Sequence, residues 1–297
     1  MRNLRISTYA AVLGVMMLAA TTAPQAAEVR LKPYLLAEQA PCTPATFGPK
    51  VAAVREALQG AGFEIVGETA PNDGAHVFII TNETMKQNAA ASRTGGFGAA
   101  QRVAVTRVGD QVQVSSTNPM WMANVYQMRG ELTDVSTSLQ KALGIKEEFG
   151  SKDGLTAKQL RTYHYMMFMP HFTEQVTLAE YASHAEALSK VEAGIAASTV
   201  VKKVARIDVP GADETLFAVT IASGDGADAA VMKITDVGAI KHTAYLTYEL
   251  LISGKKALML HGKFRIAQSF PDLSMRTFMK ISGAPDGIEK ALRDAVK

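Results

Sequence analysis

The segment Tyr163-His164-Tyr165-Met166-Met167-Phe168-Met169-Pro170-His171-Phe172 concentrates imidazole and thioether side chains in one stretch. Such groups together suit copper, because soft sulfur selects Cu(I). In an extended backbone every second side chain shares a face. Tyr163, Tyr165, Met167, Met169 and His171 would then line up, and Met167, Met169 and His171 would reach one ion, with His164 as a further ligand. The competing reading is stronger: an inter-domain strand whose methionines fill irregular gaps in the core. Methionine-based metal sites repeat their motif, and here a Met-x-Met pair occurs once.

A second constellation lies near the C-terminus. His261, Lys263 and Arg265 alternate with Leu260, Phe264 and Ile266, which on a strand separates a basic face from an apolar one. A basic stripe across a sheet suits a carboxylate or phosphate, and Arg265 could chelate either in bidentate fashion. The alternative is a solvated strand face, with Glu249 on the partner strand pairing one of the cations. Trp121, in Pro119-Met120-Trp121-Met122, lines an apolar pocket or an interface in one reading and sits in the core in the other.

Other chemistry finds little support. Gly95-Gly96-Phe97-Gly98 lacks the Gly-Lys-Ser/Thr ending of a phosphate loop and reads as a turn. The chain has neither a Gly-x-Ser-x-Gly elbow nor a His-Glu-x-x-His pair. Cys42 is the only cysteine, so no intramolecular disulfide can form. These absences lower the expectation of an enzyme, although a hydrolytic site assembled from distant residues would leave no local motif. No cofactor is indicated.

The elements that must hold these residues repeat. An extended lead-in over 28–48 precedes a helix starting at Pro49, with Val51, Val54 and Leu58 on one apolar face. Two strands joined by Pro71-Asn72-Asp73-Gly74 follow, then a short helix over 83–92. Val103, Val105, Val112 and Val114 alternate around Gly109-Asp110, the signature of a hairpin with one wet face. Asn118-Pro119 and a helix around Val135 and Leu139 complete the first unit. A polar, glycine-containing stretch reads as a linker and inter-domain strand over 146–177. The second unit repeats helix, hairpin, short helix and hairpin, with its last strand spanning 257–267 and a final helix from Asp286. The expected fold class is α+β, with two similar domains (49–145 and 178–297), each an antiparallel sheet made of hairpins and covered by helices.

Export is the clearest expectation. Arg2 and Arg5, an uncharged apolar run over 9–20 and a small-residue stretch ending at Ala27 make residues 1–27 a secretory signal peptide. The apolar run is shorter than the roughly 20 residues a spanning helix needs, and no later stretch qualifies. The mature protein is therefore expected to be periplasmic or secreted, without a transmembrane segment. Losing Arg2 and Arg5 leaves 29 basic against 28 acidic residues, a near-neutral balance that offers no field for nucleic acid. Exposed sheet edges would admit a homo-oligomer.

Two stretches carry a family resemblance. One is Val-Arg-Glu-Ala-Leu-Gln-Gly-Ala-Gly-Phe-Glu-Ile-Val-Gly over 54–67, with the second hairpin ending at Asn118-Pro119. The other runs from Ala257 to Phe270-Pro271, then Met275 and Phe278-Met279-Lys280-Ile281. The pattern resembles exported bacterial proteins related to the domain-of-unknown-function 302 family, possessing small α/β domains with a helix, a "GF" strand and a strand–Asn-Pro pattern. The resemblance implies two tandem copies and assigns no catalytic residue. The expected role is a non-catalytic binding or interaction protein for a small apolar or anionic molecule or an envelope partner, with periplasmic copper handling as the alternative.

Overall fold

The computed structural model describes residues 28–297, and the export signal expected over 1–27 lies outside the described residues. A short strand β1 (Arg30–Leu31) leads into β2 (Tyr34–Pro41) and helix α1 (Pro44–Gly60). The hairpin β3 (Glu64–Asn72) and β4 (Ala75–Thr81) follows, then α2 (Glu83–Ala90). A second hairpin, β5 (Gln101–Val108) and β6 (Gln111–Thr117), runs into α3 (Pro119–Val125) and α4 (Thr133–Leu143). β7 (Glu147–Phe149), β8 (Leu155–Thr156) and α5 (Ala157–Arg161) precede the second half. That half comprises β9 (Val176–Glu180), α6 (His184–Ala197), the hairpin β10 (Val201–Val209) and β11 (Glu214–Ile221), and α7 (Asp228–Thr235). It ends with the hairpin β12 (Tyr248–Ser253) and β13 (Lys256–Met259), then α8 (Gly262–Ser269), α9 (Met275–Met279) and α10 (Ala284–Asp294).

The fold is α+β, and its topology is written twice. One sheet has the order β3-β4-β5-β6-β2-β7 and the other β10-β11-β12-β13-β9. With β7 set aside, each strand of the first order has its counterpart in the second, and all pairings are antiparallel. Register extends the match to single residues. Val103 faces Ser116, so Arg102 lies across from Thr117, immediately before the Asn118 cap of α3. Leu250 faces Met259, so Glu249 lies across from Leu260, immediately before the His261 cap of α8. Arg102 and Glu249 therefore occupy corresponding positions.

Three expectations need correction. The lead-in over 28–48 contains β2, a strand inside the first sheet whose residues Tyr34–Ala37 are buried, and α1 starts at Pro44 rather than Pro49. Prolines 33 and 41 bracket this apolar run and hide it, although proline is tolerated at strand ends. Residues 146–177 are not one inter-domain strand, because β7 pairs with β2, β8 pairs with β1, and 162–175 form a turn-rich loop. The last hairpin is short: β13 ends at Met259 and α8 occupies 262–269. Gly262 at the first helical position packs against Pro285, where a Cβ would lie 2.7 Å from the Pro285 Cα. Helical spacing then replaces strand alternation for Lys263, Phe264 and Arg265.

The two halves share one cluster of buried apolar side chains. Their corresponding edge strands β3 and β10 also meet. Each carries a register shift at this point, between Ile65 and Gly67 and between Lys203 and Ala205. A Cβ on Gly67 would lie 2.1 Å from the Val204 carbonyl oxygen, so only glycine allows the approach. Gly67→Ala is expected to cost about 1–3 kcal/mol, the usual penalty of overpacking. A lowered urea midpoint with an unchanged slope checks this, and an unmoved midpoint would show that the edges part freely.

Candidate functional site

A cleft of about 450 Å³ opens where the halves join. The first half contributes β3 through Asn72 and the end of β5 through Thr106 and Arg107; the second contributes Asp228, Asp236 and Lys241. The Thr106 hydroxyl and the Arg107 Nε are buried without a hydrogen-bond partner among the described residues. Arg107 also forms no ion pair among them; its one side-chain bond is a long Nη1–H contact of 3.4 Å to the Gly109 carbonyl. An unmet buried donor costs about 1–3 kcal/mol, more beside a charge, so a group that satisfies it recovers that energy.

The opposite wall is acidic. Asp228 sits in the first turn of α7, where its Oδ1 accepts the Ile221 N–H at 3.0 Å. Burial pushes its carboxyl up to about 7, against the lowering effect of that bond and of its own N–H. Asp236 is engaged differently: its Oδ1 accepts the His242 N–H at 2.8 Å and lies 3.0 Å from the His242 Nδ1. The His242 ring is held edge-on to Tyr34 and against Phe149 and Phe270, which makes this pair structural. Lys241 donates its main-chain N–H to Gln113 Oε1, and Gln113 donates to the Ala239 carbonyl, fastening the 236–246 segment to β6.

The same segment separates the cleft from a buried charge cluster. Thr243 and Leu246 line the cleft, whereas the carbonyls of Ala244, Tyr245 and Thr247 accept from two arginines. Arg102 Nη1–H donates to Glu249 Oε1, and Arg265 Nε–H donates to Glu249 Oε2 at 2.8 Å. All three side chains are 2–3% exposed. Burial opposes the Arg265 charge, but Glu249 together with Tyr126 and Tyr245 outweighs it and holds the guanidinium above its ordinary value. Arg265 also lies over the Tyr245 ring, 4.5 Å from its centre. Burial keeps the phenols of Tyr34 and Tyr126 well above their usual range and so neutral. The cluster is closed, with two guanidiniums to one carboxylate, and it clamps the halves together.

The residues singled out from sequence scatter. Arg265 is in this clamp, paired with Glu249, and not on an open basic face. His261 caps α8, its Nδ1 accepting the Lys263 N–H at 3.2 Å, and burial lowers its pKa toward that neutral form. Lys263 borders a narrow apolar crevice with Tyr165, Met169 and Phe278. Trp121 is fully buried and donates its indole N–H to Gln268 Oε1 on α8 at 3.2 Å, so it joins the halves instead of lining an open pocket. In the 162–175 loop His164 and His171 do come together, with ring centres 4.5 Å apart. Met167 and Met169 do not share a face: Met167 is exposed and Met169 turns into the crevice.

Sequence reasoning missed Thr106, Arg107, Asp228 and Lys241. Arg107 was visible as a charge at the end of a well-patterned strand, but nothing local places it opposite a helix start 121 residues later. Comparison with known protein families, with curated proteins and with solved structures returned no match.

Proposed function

We propose that this is an exported, non-catalytic binding protein that takes a small anionic molecule in the cleft between its halves. The observation that carries the reading is the pair of unpartnered buried groups, Thr106 Oγ1 and Arg107 Nε, at the wall of a cleft of about 450 Å³. That volume lies within the roughly 300–1,000 Å³ of small-molecule sites. A carboxylate or phosphate would accept from the Arg107 guanidinium or from the Thr106 hydroxyl, which leave β5 on opposite faces, and Lys241 would add positive charge. The halves would be diverged copies of one unit resembling the domain-of-unknown-function 302 family, a reading supported by the twice-written strand order.

Calorimetric titration with a panel of mono- and dicarboxylates and phosphate esters tests the proposal. At least one anion is expected to bind, and Arg107→Ala should weaken it by about 10-fold or more, since hydrogen bonds to charged groups contribute roughly 1.5–3 kcal/mol. Thr106→Val should cost less. Equal affinity in Arg107→Ala would move the site elsewhere. A second reading has its own observation, the carboxyl of Asp228 at about 7 in the same cleft, suited to acid–base chemistry. Under that reading Asp228→Asn abolishes turnover while binding survives.

A further inference from the structure

The loop between α5 and β9 holds a methionine cluster that the core does not absorb. Met166 and Met167 are 42% and 74% exposed, and Phe168 is 97% exposed, so gap filling does not explain them. The flanks of the loop are anchored: Tyr163 donates its hydroxyl to the Ala267 carbonyl, and Tyr165 donates to that of Leu273. Between these anchors and β9 the chain makes two turns, closed by Met169 N–H to Met166 O and by Glu174 N–H to His171 O. Phe168 takes the first turn at φ 66°. This doubling back brings His164 and His171, seven positions apart in the chain, to ring centres 4.5 Å apart at 49°.

The imidazoles are also oriented. The His164 Nδ1 lies 3.3 Å from the Thr162 carbonyl, which fixes Nδ1 as the donor and leaves Nε2 with a free lone pair. Metal-bound histidines are held by that same kind of bond on the other ring nitrogen. The main-chain N–H of His171 is fixed by Glu174 Oε2 at 2.7 Å. Metal–imidazole bonds of about 2.0–2.1 Å allow two nitrogens roughly 4 Å apart to share one ion. Among the described residues no three His, Cys, Asp or Glu side chains gather into one group, so an ion on this histidine pair needs a donor of another type.

We infer that this loop is a Cu(I) site, with His164 and His171 as ligands and the thioether of Met166 or Met167 completing the coordination. Imidazole with thioether is the donor set that soft monovalent copper prefers over Zn(II). The inference is independent of the anion cleft. Met169, packed in the crevice, is not a ligand.

Full-length mature protein without an affinity tag would be titrated anaerobically against a chromophoric Cu(I) chelator. One equivalent of Cu(I) should be withdrawn from the chelator, and Zn(II) should not displace it. Of the six histidines in the chain, only the ring signals of His164 and His171 should shift in NMR spectra of the diamagnetic Cu(I) form. His164→Ala/His171→Ala should weaken binding by more than about 10-fold, the lower end of what losing even a supporting partner costs. Met166→Leu/Met167→Leu should weaken Cu(I) while leaving Cu(II) unchanged. These side chains are at the surface, and unaltered thermal melting would show that the variants fold. No transfer from the chelator, or full transfer to the double histidine variant, overturns the inference.

Discussion

Glu249→Gln is expected to destabilise the protein by about 3–5 kcal/mol, because it strands two buried guanidiniums without their shared counter-charge. For a chain of this length that is a fall in Tm of roughly 10 °C. The comparison with Arg102→Met makes the prediction sharp. That change leaves Glu249 with Arg265, a balanced pair; it frees the Ala244 carbonyl from its bond at 3.1 Å and leaves Glu249 Oε1 only the 3.4 Å contact from Arg265 Nη2. It should cost about 1–3 kcal/mol. Trp121 is the only tryptophan and is bonded across to α8, so its emission reports directly on separation of the halves. If Arg102→Met proves as damaging as Glu249→Gln, packing rather than charge balance governs the clamp.

Asp228→Asn is expected to abolish most of the pH dependence of stability between pH 5 and pH 8. The carboxyl stands at about 7 in the folded protein, far above its ordinary 3.8, so folding favours the protonated form. Its stabilising contribution is complete below about pH 4 and is lost as pH rises through about 7. Between pH 5 and pH 8 the wild type should lose on the order of 2–3 kcal/mol, at roughly 1.4 kcal/mol per pH unit. The asparagine keeps an oxygen for the Ile221 N–H and has no proton to lose. Thermal melts should show the variant nearly level across this range and more stable than wild type at pH 8. Parallel profiles for the two proteins would place the titrating group elsewhere.

Much of the fold was legible because the signals were local. The alternating valines at 103, 105, 112 and 114 lie on β5 and β6, although the face expected to be wet is buried as well, and the repeated order of helices and hairpins matches the two strand orders. The misreadings have physical causes as well. In Leu260–Ile266 a two-residue alternation of charge and apolarity suits a strand, yet it also fits a short helix buried on several sides, as α8 is. β2 was hidden by the prolines at its ends. The cleft was beyond reach for a different reason. Thr106, Arg107, Asp228 and Lys241 become neighbours only when the halves dock, and no periodicity within one element encodes that. The histidine pair was seen as residue types, but its partners were chosen for a straight backbone and the chain turns at Phe168.

The clamp has a consequence for how the two halves recognise each other. Corresponding edges, β3 and β10, meet, and so do the corresponding residues Arg102 and Glu249, the contact pattern of an isologous pair. With opposite charges at that one position, self-pairing of either half is now penalised. Two first halves would press arginine against arginine, and two second halves would press glutamate against glutamate, in a setting where water cannot screen them. The opposite charges favour the pairing of unlike halves over that of like ones. The charge difference disfavours like-with-like association between neighbouring chains while it holds the two halves of one chain together.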